Sequence, residues 1–286
     1  MSESTREIAH ACPRCRAPIA LAAQADVLRC PTCGSEFRVV DGLVSFVTSP
    51  GANEWQGFFQ NRSTAQDRDT SAANDYRSPL QQRYVIEGFR RACGPMPADA
   101  NVLDAGCGNG LFWAALSGRP NVIGVDYSPG MCALARARGM RVYHADATAL
   151  PFADAQFDLI YSAEVLQCVG DHASLLAELA RVCRSGGRIV VSTLNRKSLL
   201  RQGMRQVRRL VPHAGAPAHT PAILRTAAEI AEISRACGLS VRSVWWMHFP
   251  FPWLRRTPTE TNALEAAATN MIVELIRSKP AAHISP

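Results

Sequence analysis

The sequence predicts an α/β protein whose helices cover both faces of a mostly parallel sheet, preceded by a small four-cysteine module. Apolar runs of strand length recur along the chain with helical segments between them. The first of these runs ends in a glycine-rich turn, and two Cys-x-x-Cys pairs lie near the N-terminus. We assign the module to residues 1–47, a polar linker or mobile cover to 48–73 and the α/β domain to 74–286.

The N-terminal module carries its cysteines as two pairs. Cys12 and Cys15 form one pair, Cys30 and Cys33 the other, and 14 residues separate the pairs. Four thiolates spaced in this way suit a closed, tetrahedral Zn²⁺ site. Since four cysteines leave no open coordination position, we expect this zinc to be structural. The alternatives are a redox pair and cysteines grouped by chance.

A glycine-rich turn follows the first strand of the α/β domain. Residues 101–110 read NVLDAGCGNG, and a helix is predicted to begin at Leu111. The glycines of this turn are Gly106, Gly108 and Gly110. Glycine allows a sharp bend and lets a ligand approach backbone N–H groups. Asp104 at the strand tip would repel a phosphate and attract an ammonium group, which favours a nucleoside with a cationic tail over a dinucleotide.

Four further strands are predicted at residues 121–126, 140–144, 157–162 and 188–194. The second strand of the sheet ends at Asp126, whose carboxylate can accept hydrogen bonds from both hydroxyls of a ribose. The third leads into Asp146 and Ala147, where a carboxylate and a backbone N–H can recognise an adenine edge. The fifth follows a turn at 184–187.

Four segments resemble those of class I S-adenosylmethionine-dependent methyltransferases, most closely the group that contains the quinone-pathway methyltransferases. They are VLDAGCGNG (102–110), VIGVDYSPGMCALAR (122–136), HADATALPFADAQFDLIYSAEVLQCV (144–169) and LARVCRSGGRIVVSTLNR (179–196). The resemblance spans about residues 74–248. It implies a Rossmann-like sheet and S-adenosylmethionine as methyl donor. The four-cysteine module resembles zinc ribbons that are fused to, or partner with, methyltransferases.

The resemblance also implies roles for the residues at the strand ends. Asp104 and the three glycines would hold the methionine moiety, and Asp126 the ribose hydroxyls. Tyr127 would lie beside the ribose or the adenine. Asp146 would meet the adenine amino group, and the Ala147 N–H a ring nitrogen.

The acceptor side is less fully specified. The resemblance implies that Ser162 and Glu164 line the passage between the sulfonium and the acceptor. Similar enzymes often place a histidine just after the fourth strand, where this chain has Leu-Gln-Cys-Val at 166–169. No catalytic base is therefore assigned. The histidines that remain candidates are His144, His172, His219 and His248.

An insertion at residues 196–221 follows the fifth strand. With helical spacing, its apolar side chains fall within an arc of about 140° and its cations lie beside them. The cations are Lys197, Arg201, Arg205, Arg208 and Arg209. Such a helix suits an anionic membrane surface, contacted through residues 197–211. An ordinary lid helix and an RNA-binding helix are the alternatives.

The remaining elements are predicted helices at 74–94, 221–237 and 258–268 and a strand at 240–249. Residues 269–277 fit either a helix or the antiparallel seventh strand, and we choose the strand. Residues 249–253, Phe-Pro-Phe-Pro-Trp, are too rich in proline for a central strand and suit the wall of an apolar acceptor pocket.

Composition limits the functional classes. No apolar run approaches 18 residues, which excludes a spanning helix, and the polar N-terminus shows no signal segment. We therefore expect a cytoplasmic protein, membrane-associated if 197–211 contacts lipid. The net charge of +7 permits anionic partners but specifies none. The expected reaction is methyl transfer to a small, fairly apolar metabolite such as a quinone precursor, natural product or lipid. The alternative is a ribosomal RNA guanine methyltransferase whose zinc ribbon recognises RNA.

Overall fold

A computed structural model describes residues 6–21, 25–47, 57, 59, 79–116, 121–210, 222–248, 253–257 and 265–278. In the four-cysteine module it contains three short antiparallel strands: β1 (Val27–Arg29), β2 (Glu36–Val40) and β3 (Leu43–Val44). The predicted linker at 48–73 lies outside the described residues, apart from 57 and 59.

The main sheet has the order β10-β9-β11-β8-β7-β4-β5-β6 in the part of the chain that the structure describes. Its strands are β4 (Val102–Ala105), β5 (Val122–Asp126), β6 (Arg141–His144), β7 (Phe157–Ser162), β8 (Cys183–Leu194), β9 (Leu239–His248), β10 (Trp253–Thr257) and β11 (Asn270–Arg277). Strands β6, β5, β4, β7 and β8 are parallel. Strand β11 is antiparallel to both β8 and β9, as predicted for residues 269–277. The sheet is thus mixed and Rossmann-like.

Helices pack on both faces of this sheet. They are α1 (Pro79–Cys93), α2 (Leu111–Leu116), α3 (Pro129–Ala137), α4 (His172–Val182), α5 (Leu199–Leu210) and α6 (Ala227–Ala236). Residues of α1, α2 and α3 share one apolar cluster with the sheet, and residues of α4 and α6 share another. Alternate strand residues serve the two clusters: Val102 and Tyr161 face the first, Leu103 and Ile160 the second.

The four-cysteine module covers the β6 edge of the sheet. Phe46 packs between Phe37 and Tyr143, with ring centroids 5.1 and 6.0 Å away. The Phe46 N–H also donates to the carbonyl of His144 at 2.8 Å. Because an open sheet edge exposes unpaired backbone groups, this contact protects the strand as well as burying aromatic surface.

Helix α6 begins later than predicted. The expected start was Pro221, but the helix begins at Ala227 because Thr226 and Glu229 form a capping box: each side chain accepts from the other's backbone N–H. Residues 222–225 are not helical: the Ile223 N–H donates to the carbonyl of Gln167 at 2.9 Å, and Arg225 forms an isolated bridge with Asn195.

Three other elements differ from expectation. The turn at 184–187 is a bulge inside β8, because Phe157 pairs with Cys183 and Leu159 already pairs with Arg188. Strand β10 was not predicted; it extends the sheet by antiparallel pairing with β9. Of the helix predicted at 258–268, the described part (Glu265–Ala267) is a single 3₁₀ turn. Residues 249–252 and 258–264 lie outside the described residues.

Candidate functional site

The turn after β4 requires glycine at two positions. Gly106 has φ +83°, and a Cβ there would lie 2.1 Å from Cγ2 of Val165. Gly110 has φ +77°, and a Cβ there would lie 3.2 Å from Cα of Ala135. Gly108, at φ +53°, has no atom within 4 Å of the corresponding position. The turn is therefore held tightly at both ends, while its middle faces open space that a ligand can enter.

Asp104 lies directly below this turn and is 1% exposed. Strand pairing places it opposite Tyr161 of β7. Both groups are buried, and neither the carboxylate oxygens nor the phenol makes a hydrogen bond of normal geometry among the described residues. Burial raises the pKa of Asp104 well above its usual range, and the charge of Asp126 raises it further. The nearby Tyr161 hydroxyl acts in the opposite direction and lowers the pKa. A cationic ligand would relieve the cost of this buried charge.

Asp126 at the end of β5 is joined to the glycine turn. One carboxylate oxygen accepts from the Gly108 N–H and the other from the Ser128 N–H, both at 2.8 Å. Burial raises the pKa of Asp126, while the N–H donors of Ser128 and Gly108 lower it. Each oxygen keeps a further lone pair, so these bonds orient the carboxylate and still permit contact with hydroxyl donors.

Asp146 follows β6 in a local turn. Its Oδ1 accepts from the backbone N–H and the hydroxyl of Thr148, at 2.8 and 2.7 Å. The preceding Ala145 N–H donates to the carbonyl of Asp126 at 3.0 Å, which ties the ends of β5 and β6 together. The carboxyl ends of β4, β5 and β6 thus bring the three predicted aspartates to one edge of the sheet, with Ala147 and Tyr127 in the adjoining turns.

One predicted acceptor-side residue ends β7 and the other lies two positions after it. Ser162 donates to the carbonyl of Ala105 at 2.7 Å, so its hydroxyl braces β4. Glu164 has φ +63°, a strained conformation for a residue with a side chain. Its N–H donates to Oγ of Ser192 at 3.0 Å, and its Oε1 accepts from Nδ2 of Asn270 at 3.1 Å. These bonds fix the position of Glu164. The next residue, Val165, packs against Gly106 of the glycine turn.

Two candidate histidines have structural partners on both ring nitrogens. His144 bonds to the Ser45 hydroxyl at 2.8 Å and to the carbonyl of Tyr127 at 3.0 Å. His172 bonds to the carbonyl of Leu166 at 2.6 Å and to Arg225 at 2.9 Å. Burial lowers the pKa of both imidazoles. His219 lies outside the described residues, as does the side chain of His248 at the end of β9.

The four cysteines of the module form a compact cluster. Their sulfur atoms all lie within 4.8 Å of one another, with Cys12 and Cys33 3.7 Å apart and Cys15 and Cys30 3.5 Å apart. Tetrahedral zinc with bonds of about 2.3 Å separates thiolates by about 3.8 Å. The donor set and its spacing fit Zn²⁺.

The two halves of this cluster have the same backbone. The N–H of Arg16 donates to the carbonyl of Cys12 at 2.8 Å, and the N–H of Gly34 to that of Cys30 at 3.0 Å. Arg16 and Gly34 share a left-handed conformation, with φ of 66° and 71°. The cysteines are therefore presented by two equivalent turns, as a preformed tetrahedral site requires.

Sequence reasoning missed three residues of the site. Tyr161 was readable in principle, because pairing the predicted first and fourth strands places it beside Asp104. Asn270 and Arg201 gave no local signal. Arg201 donates to Oδ1 of Asn270 at 2.9 Å, and Asn270 in turn holds Glu164.

Comparison with known proteins gives a family match for the central part of the chain. Residues 103–191 match the family described as "Methyltransferase domain", a match that does not extend to the four-cysteine module. The chain is 40% identical over 158 residues to the malonyl-[acyl-carrier protein] O-methyltransferase of Serratia marcescens; this covers 46% of the chain and 60% of that protein. It is 39% identical over 112 residues to the demethylmenaquinone methyltransferase of Mycolicibacterium vanbaalenii, covering 39% and 49%.

A solved structure shows the same fold. The SAM-dependent methyltransferase of Thermotoga maritima aligns with a TM-score of 0.56 at 21% identity, over 70% of this chain and 91% of that one. The match to the two curated relatives spans about half to three fifths of their length. The segment that carries the glycine turn and the three strand-end aspartates therefore matches the methyltransferase-domain family, and its fold is that of S-adenosylmethionine-dependent methyltransferases.

Proposed function

We propose that the protein transfers a methyl group from S-adenosylmethionine to a small, fairly apolar acceptor. The observation that carries this proposal is the buried carboxylate of Asp104, which lies beside an open glycine turn and has no partner of normal geometry within the described part of the chain. A buried acidic group in that state suits a ligand with a cationic amino-acid tail. The methyltransferase-domain match supports the same donor.

Each strand end has a role in holding the donor. Asp104 and the turn of Gly106, Gly108 and Gly110 would bind the methionine moiety. Asp126 would bind the ribose, with Tyr127 beside it. The role of Asp126 is supported by the two backbone N–H groups that already bond to its carboxylate and fix its orientation.

The adenine and the methyl group would be bound on either side of this point. Asp146 and the Ala147 N–H would recognise the adenine, and the Thr148 bonds orient the Asp146 carboxylate for that task. Ser162 and Glu164 would line the route to the acceptor. The strained backbone of Glu164, held by Ser192 and Asn270, supports a positional function there.

The reaction needs alignment more than acid–base chemistry. The sulfonium supplies an electrophilic methyl group, and the protein aligns the acceptor nucleophile with it and excludes water. This chain's contribution is a donor site that is partly formed before binding, because Asp126 is fixed by backbone donors and Asp146 by Thr148. A base is required only for an acceptor that is poorly ionised at the working pH.

The acceptor class rests on the relatives. Those from Serratia and Mycolicibacterium are named for malonyl-[acyl-carrier protein] and demethylmenaquinone, which favours a quinone precursor, natural product or lipid-like acceptor over ribosomal RNA. Zn²⁺ in the four-cysteine cluster belongs to the proposal as a structural ion. The test is elemental analysis, with one zinc per chain expected.

Peripheral membrane contact through 197–211 stays part of the proposal. Leu199 and Leu200 on α5 are 64% and 42% exposed, which supports an apolar contact. Two of the cations are already used within the protein: Lys197 pairs with Glu265 at 2.9 Å, and Arg201 donates to the carbonyl of Thr269 at 2.8 Å. Within the described residues no helix has the length and apolar character that crossing a bilayer needs.

The deciding experiment is isothermal titration with S-adenosylmethionine and S-adenosylhomocysteine. Binding of both at one site is expected. Incubation with labelled donor and fractionated extracts should then yield a small product heavier by one CH₂ group. Failure of the zinc-loaded protein to bind either compound would refute the proposed donor, and labelled ribosomal RNA would refute the acceptor class.

A further inference from the structure

The four-cysteine module contacts both ends of the segment that carries the proposed adenine-binding residues. This segment, residues 144–152, runs from the end of β6 through Asp146 and Ala147 to Phe152. We propose that the module positions this segment, so that metal loading and the Ser45–His144 bond set the affinity for the donor's adenosine half. The inference rests on the proposed function, since it assumes that S-adenosylmethionine binds at the carboxyl ends of β4, β5 and β6.

The first contact reaches the start of the segment. Ser45 forms an isolated parallel bridge with His144, and its hydroxyl lies 2.8 Å from Nδ1 of that imidazole. The other nitrogen, Nε2, lies 3.0 Å from the carbonyl of Tyr127. A carbonyl can only accept, so Nε2 carries the proton and the Ser45 hydroxyl donates to Nδ1. One imidazole thus connects the module to Tyr127, the residue after the ribose-binding Asp126.

The second contact holds the far end of the segment. The N–H of Ala11 donates to the carbonyl of Pro151 at 3.2 Å, and His10 forms an antiparallel bridge with Phe152. The His10 ring packs 5.5 Å from the Phe152 ring and 5.2 Å from that of Tyr143 in β6. His10 and Ala11, which precede the first cysteine pair, therefore hold the far end of the segment in place.

The third contact starts beside the first cysteine pair. Arg16 takes the left-handed position that Gly34 takes after the second cysteine pair, a strained conformation for a residue with a side chain. Its guanidinium makes two bonds to Glu178 of α4, at 2.7 and 2.9 Å. Oε1 of Glu178 also accepts from the N–H of Leu150 at 2.7 Å. Arg16, the residue after the first cysteine pair, is therefore linked through Glu178 to Leu150 within the segment.

Between these contacts lies the middle of the segment, residues 146–149, which is partly exposed and carries the proposed adenine-binding residues. If the module loses its metal and its fold, both ends of the segment lose their anchors. The donor must then order the segment as it binds, which reduces its affinity without removing any group that touches it.

The sharpest test is a pair of substitutions at Ser45. Ser45→Ala removes the hydroxyl, whereas Ser45→Thr keeps it. In zinc-loaded protein we expect Ser45→Ala to bind S-adenosylhomocysteine about three- to tenfold more weakly, the effect of one lost hydrogen bond, and Ser45→Thr to bind near wild type. Affinity for 5′-methylthioadenosine, which lacks the amino-acid tail, should fall by the same factor.

The matched control is Arg6→Ala. Arg6 also joins the N-terminal region to the core, through a 2.8 Å ion pair with Asp158, but at the opposite end of β7. Its substitution should leave both affinities unchanged. Removal of zinc by a chelator should weaken binding at least as much as Ser45→Ala, with folding checked by near-ultraviolet circular dichroism.

The outcomes separate the two proposals. If zinc-loaded wild type binds neither compound, the proposed function fails. If wild type binds but Ser45→Ala binds equally well with full zinc content, the positioning role of the module is wrong. An equal loss in Arg6→Ala would show general destabilisation instead, and would also overturn it.

Discussion

Asp104 and Tyr161 stand opposite each other on neighbouring strands β4 and β7; both are buried, and neither makes a hydrogen bond of normal geometry with any residue that the structure describes. A protein selected only for stability would place apolar residues at such a position. Burial raises the pKa of Asp104, so the ionised group makes the free protein less stable than a neutral one would. A buried carboxylate in this state is expected where a protein binds a cationic ligand.

Replacement of Asp104 by Asn should stabilise the free protein and weaken donor binding. Because the folded pKa of Asp104 is raised, its contribution to stability is lost as pH rises from the unfolded value through the folded one. A neutral amide removes that loss, which we expect to amount to about 1 kcal/mol at neutral pH. Thermal unfolding and titration with S-adenosylhomocysteine measure the two effects. Asp99→Asn, an exposed aspartate outside the site, is the control and should change neither.

Donor binding should weaken on acidification at a higher pH than an ordinary aspartate would cause. A cationic tail prefers ionised Asp104, so affinity is full above the raised pKa and falls as pH drops through it. Titrations across a pH series, with zinc content checked at each point, measure this. In Asp104→Asn that part of the pH dependence should vanish. The same profile in both proteins would place the titrating group elsewhere.

Substitution of Gly106 and Gly108 should separate a packed glycine from an open one. Gly106→Ala puts a methyl group 2.1 Å from Val165 and is expected to cost more than 3 kcal/mol, roughly the upper range of overpacking effects. Gly108→Ala meets no atom and carries only the strain of its positive φ, about 1–2 kcal/mol. Urea unfolding measures both. Equal losses at the two positions would contradict this account of the turn.

Local patterns determined which parts of this fold could be predicted. Asp104, Asp126 and Asp146 each end or follow an apolar run, so the sequence alone brings them to one edge of the sheet. The relay from Arg201 through Asn270 to Glu164 could not be predicted, because its members lie 69 and 106 residues apart. The start of α6 was predictable: Thr226 and Glu229 have the spacing of a capping box.

Loss of one zinc ligand should destabilise the module selectively. Cys33→Ser is expected to lower zinc content well below one per chain and to reduce the thermal midpoint, because metal binding supplies folding free energy in so small a unit. Cys237→Ser removes a thiol outside the cluster and should retain the zinc. Elemental analysis and thermal unfolding measure both. Unchanged stability in metal-free Cys33→Ser would contradict a structural role.

Glu178 should matter more than its partner Arg16. Its buried carboxylate accepts from Arg16, Arg181 and the N–H of Leu150, so Glu178→Ala removes an acceptor from all three, of which Arg181 keeps its bond to Asp154. We expect a loss of about 3–5 kcal/mol, as for other broken buried ion pairs. Arg16→Ala leaves Glu178 bonded to Arg181 and Leu150, and Arg16 is 40% exposed, so about 1 kcal/mol is expected. Urea unfolding of zinc-loaded protein compares them; equal losses would mean that Arg16 alone supports the contact between module and helix.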